Sequence, residues 1–321
     1  MRRRQSGAAL LVVLLLAAVM AVLAMAMLDD IRFGLRSAGN AQAMQQARRY
    51  ALGTEALARA RIGELARGRN DPARWQDQPL LFPIEHGLVQ ARLRDASACF
   101  NLNSVVDGAP GHWQRHELGI RQYVALLQAL DFPAAQAQGM ADALADWIDS
   151  DDQRAPLGAE DRSYAARADG YRTGATLLAE PSELRAIRGY DAVAYARLRP
   201  HVCALPVGGP SPVNVNALVP AQAPVLSMLT LGAVTPGQAR RILAARPAGG
   251  WDDATTFWAQ PALAAAAVPN EVYDQTGLRS QWFALDSTVE YAGAQILMNS
   301  LLQMDNAGRV RLWARRWTHE E

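Results

Sequence analysis

Lysine is absent from this 321-residue sequence, so all 32 basic residues are arginine. Schiff-base chemistry and the lysine of a nucleotide-binding P-loop are thereby excluded. No His-Glu-x-x-His, Gly-x-Ser-x-Gly or glycine-rich phosphate loop occurs either, so these hydrolase and nucleotide-site motifs are missing. Of only five histidines, His112 and His116 stand four apart without an obvious third ligand, which leaves them packing or surface roles. A net charge of +1 gives no general polyanion-binding surface. Against these absences, a 50% hydrophobic share and 321 residues exceed one ordinary domain and exclude a disordered chain.

The strongest positive signal is at the N-terminus. Arg2, Arg3 and Arg4 precede an uncharged run from Ala8 to Leu28, and Asp29-Asp30 follow it. A helix over that run would be roughly 31 Å long, which matches a bilayer's hydrocarbon core. The arginines should stay cytoplasmic and send the rest of the chain across. Three readings remain open. One is a cleaved secretory signal, with a small-x-small site at Ala24-Met25-Ala26. Another is an uncut single-span anchor. In the third, the cut falls after Gly7 and the apolar helix survives as the mature N-terminus.

Beyond the membrane, Met44, Ala47, Ala51, Ala58, Ile62 and Leu65 recur at spacings of three and four, one apolar helical stripe. That helix should stop near Arg67, where glycine, asparagine and proline cluster. Leu80 to Glu85 and Leu88 to Arg94 flank His86-Gly87 as a hairpin, the second run alternating apolar and polar residues. Strand patterns return only at Trp282 to Tyr291, Gln295 to Met304 and Arg309 to Trp317, the last two joined by a turn at Asp305 to Gly308. The stretch between reads helical, with segments at 119–130, 133–148, 181–188, 192–198, 220–231 and 236–246. The fold class is therefore α+β: a pilin-like N-terminal spine helix plus an antiparallel sheet, interrupted by a large all-α insertion. The divisions expected are a leader (1–7), a transmembrane helix (8–28), the outer spine (29–67), a first β-region (78–105), the insertion (106–277) and C-terminal strands (278–321).

The leader, with Gly7 followed by Ala8-Ala9-Leu10-Leu11, resembles the class III leader of type IV pilins and secretion pseudopilins. Most such proteins carry glutamate at the fifth mature position, which here is Val12. Minor pseudopilin K of the type II secretion system is similar in that absence and in its large helical insertion. Further wording resembles that family: Asn101-Leu102-Asn103, Asp146 to Asp152, Glu160-Asp161 and Gly170-Tyr171-Arg172-Thr173. The resemblance implies a non-enzymatic fibre subunit. Prepilin peptidase would cut between Gly7 and Ala8, and the new terminal amine would be methylated. The chain would be single-pass in the inner membrane with its bulk in the periplasm, and its partners would be minor pseudopilins I and J and other pseudopilins. Val12 fits placement at the tip, because a buried carboxylate needs a cationic neighbour that a leading subunit lacks.

Asp149, Asp151 and Glu160 carry the spacing of the first, third and last ligands of an EF-hand loop, but Arg154 replaces its glycine. Hard oxygen donors in an exported chain favour calcium, and the resemblance implies structural calcium held by Asp149, Asp151, Glu160 and Asp161. The alternative is a solvated acidic loop paired with Arg154 and Arg162. Cys99 and Cys203, in the exported part, are either a disulfide or two buried thiols. A rival function rests on Val213-Asn214-Val215-Asn216-Ala217 followed by Leu229 to Pro236 and Ala239 to Leu243, which together resemble a helix-hairpin-helix unit of membrane-anchored DNA-uptake receptors. Val234 stands where that unit has its second glycine, so nucleic acid is disfavoured as a partner.

Overall fold

The computed structural model describes residues 5–67, 72, 75–166 and 169–318. Residues 1–4 of the expected leader lie outside these. A single helix, α1 (Gln5–Arg67), runs for 63 residues, roughly 95 Å, and contains Gly7 and Ala8 in its first turns. Residues 9–42 are exposed along its whole circumference. From Ala43 onward one line is buried: Ala43, Ala47, Ala51, Glu55 and Ile62. Met44 is 39% exposed instead of joining that line. The small Ala43, four residues before Ala47, takes the place, and Met44 is turned about 100° from it.

The spine lies on a five-stranded antiparallel sheet. β1 (Pro79–Ile84) and β2 (Gly87–Asp95) form the hairpin. Its two-residue turn places His86 at φ 63°. Gly87 has no room for a side chain, since a Cβ would sit 1.9 Å from the Glu290 carbonyl oxygen. After Asp95 the chain leaves the sheet. It forms β3 (Phe100–Asn101), β4 (Val106–Ala109), β5 (His112–Arg115), α2 (Glu117–Ala129), α3 (Ala134–Ile148), α4 (Asp161–Ala165), α5 (Ala192–Leu198), β6 (Val202–Cys203), β7 (Val213–Asn214), α6 (Ala223–Leu229), α7 (Pro236–Ala244), three further short helices and β8 (Thr276–Gly277). It returns as β9 (Trp282–Tyr291), β10 (Ala294–Met304) and β11 (Val310–Arg316). The sheet order is β1-β2-β9-β10-β11.

Two apolar clusters clamp spine to sheet. Nearer the membrane segment, Ala47 and Ala51 pack with Val89, Val289, Ile296 and Met298. Farther out, Ile62 packs with Leu93, Phe283, Leu302 and Met304. Since β2 runs from Val89 toward Leu93, it climbs away from the membrane segment, and the insertion departs from the distal end of the sheet. The insertion has its own continuous core of helices. Three two-stranded ladders supplement those helices, β3 with β6, β4 with β5, and β7 with β8. Two of them are parallel and join the start of a helical unit to its finish.

Candidate functional site

Four regions carry the chemistry singled out in the sequence. The first is the bare stretch of spine. Among the described residues one helix is long and apolar enough to cross a membrane. Val12 lies in it, 55% exposed, within the stretch 9–42 whose described residues are all exposed.

The second is the neck of the insertion. Cys99 and Cys203 are joined as a disulfide across 104 residues, beside the parallel pairing of Phe100 with Val202 and Asn101 with Cys203. Each helical unit opens with an Asn-x-Asn step that does the same work. Asn103 donates from Nδ2 to the carbonyls of Leu178 and Leu205 and accepts from the Leu178 amide. Asn216 donates from Nδ2 to the carbonyls of Trp251 and Leu278 and accepts from the Trp251 amide. Asn101 and Asn214 each accept from the amide two residues on. Fully satisfied buried amides such as these fix chain crossings that apolar packing alone leaves loose. Asp95 ties the sheet to the second unit, accepting from Ser280 Oγ at 2.5 Å and Asn214 Nδ2 at 2.7 Å. Burial pushes its carboxyl up despite those donors.

The third is the acidic cluster after α3. Asp142 and Asp146 face inward and share Arg115, at 2.9 Å and 3.0 Å. Gly158 lets the chain approach Asp146, because a Cβ there would lie 1.9 Å from Oδ2. Asp149 ends the helix with its own side chain almost wholly buried, and neither carboxylate oxygen has a partner. Burial, then the charges of Asp151, Asp146 and Glu160, push it up to about 8. Glu160 is also buried with Oε1 unpartnered. Burial and then Asp146 push it up to about 7. Asp151 is exposed and accepts from the Gln153 amide. Asp161 has its Oδ1 committed to the Thr173 amide and hydroxyl at 2.9 Å and 3.0 Å. A tyrosine–tryptophan stack of Trp147, Tyr164 and Tyr171 holds the loop against α3.

No group of three Asp, Glu, His or Cys side chains among the described residues is arranged as a finished metal site. The donor chemistry nevertheless fits a hard cation. Both oxygens of the buried Asp149 carboxyl and Oε1 of Glu160 lack a donor, and a divalent ion would compensate their charge. An EF-hand loop is not formed. His116, for its part, meets the Ser104 carbonyl through Nδ1 at 2.9 Å and His112 is exposed.

The fourth is the hairpin between α6 and α7. Leu231 and Gly232 do adopt positive φ. However, the amides of residues 231–234 bond to Met228, Ser227 and Thr230, and Thr235 bonds to Gln238. Val234 is fully buried. A phosphate would find no free amide along residues 231–235, which removes the basis of the DNA-binding alternative.

Sequence reasoning missed Glu55, buried on the spine and bonded to Arg315 and Ser300. The signal was there: Glu55 falls four residues after Ala51 and three before Ala58, on the apolar stripe. It also missed Asp142 and Arg115, whose pairing depends on a strand and a helix that no local pattern relates.

Comparison with known proteins follows this geometry closely. A family model described as type II secretion system protein K matches residues 98–207, and a second with the same description matches residues 213–276. These coincide with the two helical units. Type II secretion system protein K of Klebsiella pneumoniae is 36% identical over 311 residues, covering 94% of each chain. The protein of that description from Pectobacterium carotovorum subsp. carotovorum is 33% identical over 314 residues, 95% of this chain and 94% of its own. A chain of the crystal structure of the GspK-GspI-GspJ complex from enterotoxigenic Escherichia coli superposes with a TM-score of 0.73 at 31% identity, over 87% of this chain and 98% of that one.

Proposed function

The chain belongs to the type II secretion system protein K family, and from that premise we propose that it is the minor pseudopilin at the tip of the secretion pseudopilus. It is a structural, non-enzymatic subunit. Its spine is held in the inner membrane before extraction, its bulk stands in the periplasm, and it assembles with minor pseudopilins I and J to start the fibre. The observation that carries this reading is the place of the insertion. It leaves the sheet at the end distal to the membrane segment. It also leans over the sheet face opposite the spine, where Arg316 bonds Glu180 at 2.6 Å. A subunit stacked ahead would collide with it, so this chain can begin a fibre but not continue one.

Val12 agrees with that position. A leading subunit has no neighbour ahead whose terminal amine would pair with a glutamate, and a valine avoids burying a lone charge. Prepilin peptidase cleavage between Gly7 and Ala8 leaves the amine of Ala8 as the mature terminus. The test is the position of the chain in assembled pseudopili, read by immunogold labelling together with N-terminal sequencing. Label confined to one end and a terminus at Ala8 support the reading. Label spaced along the fibre, or a terminus near Met27, refutes it.

Calcium belongs to the same proposal. Asp149 and Glu160 would hold the ion, with Asp151 beside them, and the ion would supply the charge that keeps both buried carboxyls ionised. Its part is to lock the end of α3 to the loop that leads to α4. Asp161 supports that loop through Thr173.

A further inference from the structure

The face of the sheet turned away from the spine carries a row of polar and charged side chains. Val89, Ala91 and Leu93 of β2 pack toward the spine, so the alternating Gln90, Arg92 and Arg94 point to the other face. The strand registers pair Arg92 with Asp286, Asp286 with Asn299 and Asn299 with Arg316. These four therefore stand side by side across β2, β9, β10 and β11, a width of about 14 Å at the usual strand spacing. Arg199, just after α5, comes from the insertion to the same face and lines two cavities that share it and Arg94. The inner one, about 180 Å³, runs to Arg316 and the cysteines of the disulfide. The outer one, about 510 Å³, opens over Gln90, Arg92 and Thr288.

Charge in and beside this cleft does not balance. Asp286 is engaged by Arg94 at 2.9 Å and by Asn299 Nδ2 at 2.7 Å. Glu180 is engaged by Arg316 at 2.6 Å and by the Ser182 hydroxyl at 3.2 Å. The Asp95 carboxyl, on the inner wall, is enclosed by Ser97, Ser280 and Asn214, and burial favours its neutral form. The guanidiniums of Arg92, Arg94, Arg199 and Arg316 are thus matched by two carboxylates, Asp286 and Glu180, which leaves an excess of two positive charges. Arg92 is exposed, and among the described residues its guanidinium has no ion pair or hydrogen bond. Arginines gathered in one cleft repel one another. A doubly charged oxyanion cancels the excess and accepts from their forked N–H groups.

We infer that this cleft binds a small dianionic oxyanion of the phosphate or sulfate class where the two cavities meet, held by Arg92 and Arg94 from the sheet and by Arg199 from the insertion. Gln90 and Thr288 add neutral donors. Even the smaller cavity has room for one tetrahedral group and a few waters, at roughly 30 Å³ of liquid volume per water. Asp286 orients Arg94 for this task. The bound ion joins sheet to insertion and steadies the lean of the insertion over the sheet. Every group that holds it comes from this chain, so the site is independent of the assembly proposed above.

The test uses the full-length chain in a detergent with an uncharged headgroup, with inorganic phosphate or sulfate compared against chloride at equal ionic strength. Calorimetric titration should show one saturable site per chain, for which phosphate and sulfate compete, and the melting temperature should rise with occupancy. Arg92→Gln and Arg199→Gln should each weaken phosphate binding about tenfold. Arg311→Gln, at an arginine stacked on Trp313 outside the cleft, should leave it unchanged. Arg92→Gln breaks no contact within the chain, so its melting temperature in chloride should not fall below that of the wild type, which separates lost binding from lost folding. Amide exchange at Arg199 and Val202 should slow when phosphate is bound. An equal effect of chloride, uptake that never saturates, or unchanged affinity in either Arg92→Gln or Arg199→Gln would overturn the site.

Discussion

Arg315 in the last strand grips Glu55 in the spine with two hydrogen bonds, Nε to Oε2 at 2.8 Å and Nη2 to Oε1 at 2.9 Å, across 260 residues of sequence. Ser300 donates a third bond to the same carboxylate, and Arg59 lies 3.1 Å away on the helix itself. Burial raises the Glu55 carboxyl, but Arg315 and Ser300 outweigh it and hold the group below its ordinary value. The spine is therefore fixed to the sheet by a directional contact as well as by the two apolar clusters.

Arg315→Ala leaves Glu55 buried with most of its donors gone, and should destabilise the protein by on the order of 3 kcal/mol. Glu55→Gln should cost less, because the neutral amide keeps part of the bonding. Replacing both residues by leucine should recover much of the loss. Thermal melting of wild type, Arg315→Leu, Glu55→Leu and the double leucine variant closes a double-mutant cycle. A coupling below about 0.5 kcal/mol would show that the pair contributes only packing.

Reduction of Cys99–Cys203 frees a loop of 104 residues. In the chain-entropy account this lowers stability by about 4 to 5 kcal/mol. The loss should begin at the neck, so amide exchange at Phe100 and Val202 should accelerate before exchange in α3. Simultaneous exchange across the whole chain would place the disulfide's effect on the unfolded state alone.

Asp149 and Glu160 sit at about 8 and about 7, above their unfolded values. Between those limits the folded protein holds protons that the unfolded chain has released. Stability from the protonated pair is therefore full below about pH 4 and is lost as pH rises toward 8, by up to ~1.4 kcal/mol per pH unit for each group. In chelator, the melting temperature should fall over that range, and calcium should raise and flatten the curve. Asp149→Asn should melt higher than wild type at pH 8 in chelator and respond less to calcium. A melting curve indifferent to both pH and calcium would remove the site.

Local pattern revealed more of the fold than of the site. The hairpin, the three C-terminal strands and helix α3 are found within a residue or two of their expected bounds, since alternation and helical spacing are properties of the chain itself. Asp149 was visible as an acidic residue past a helix end. Its burial was not, because that depends on the loop to Glu160 folding back over it. The hairpin before α7 had the sequence look of a phosphate-binding turn, yet its amides are spent on Met228, Ser227, Thr230 and Gln238. Asn103 and Asn216 were legible as a resemblance, but their partners lie 35 to 102 residues away.

The sequence alone determined the bilayer-length apolar run after three arginines, the valine at position 12, the helical stripe from Ala47 and the division into sheet and helical insertion. These are one-dimensional quantities, set by length, charge order and periodicity. Tertiary structure alone decided that the insertion crowns the distal end of the sheet and that Glu55 meets Arg315. Each of these depends on which distant segments share an edge or a face, and therefore on the register in which the strands pair.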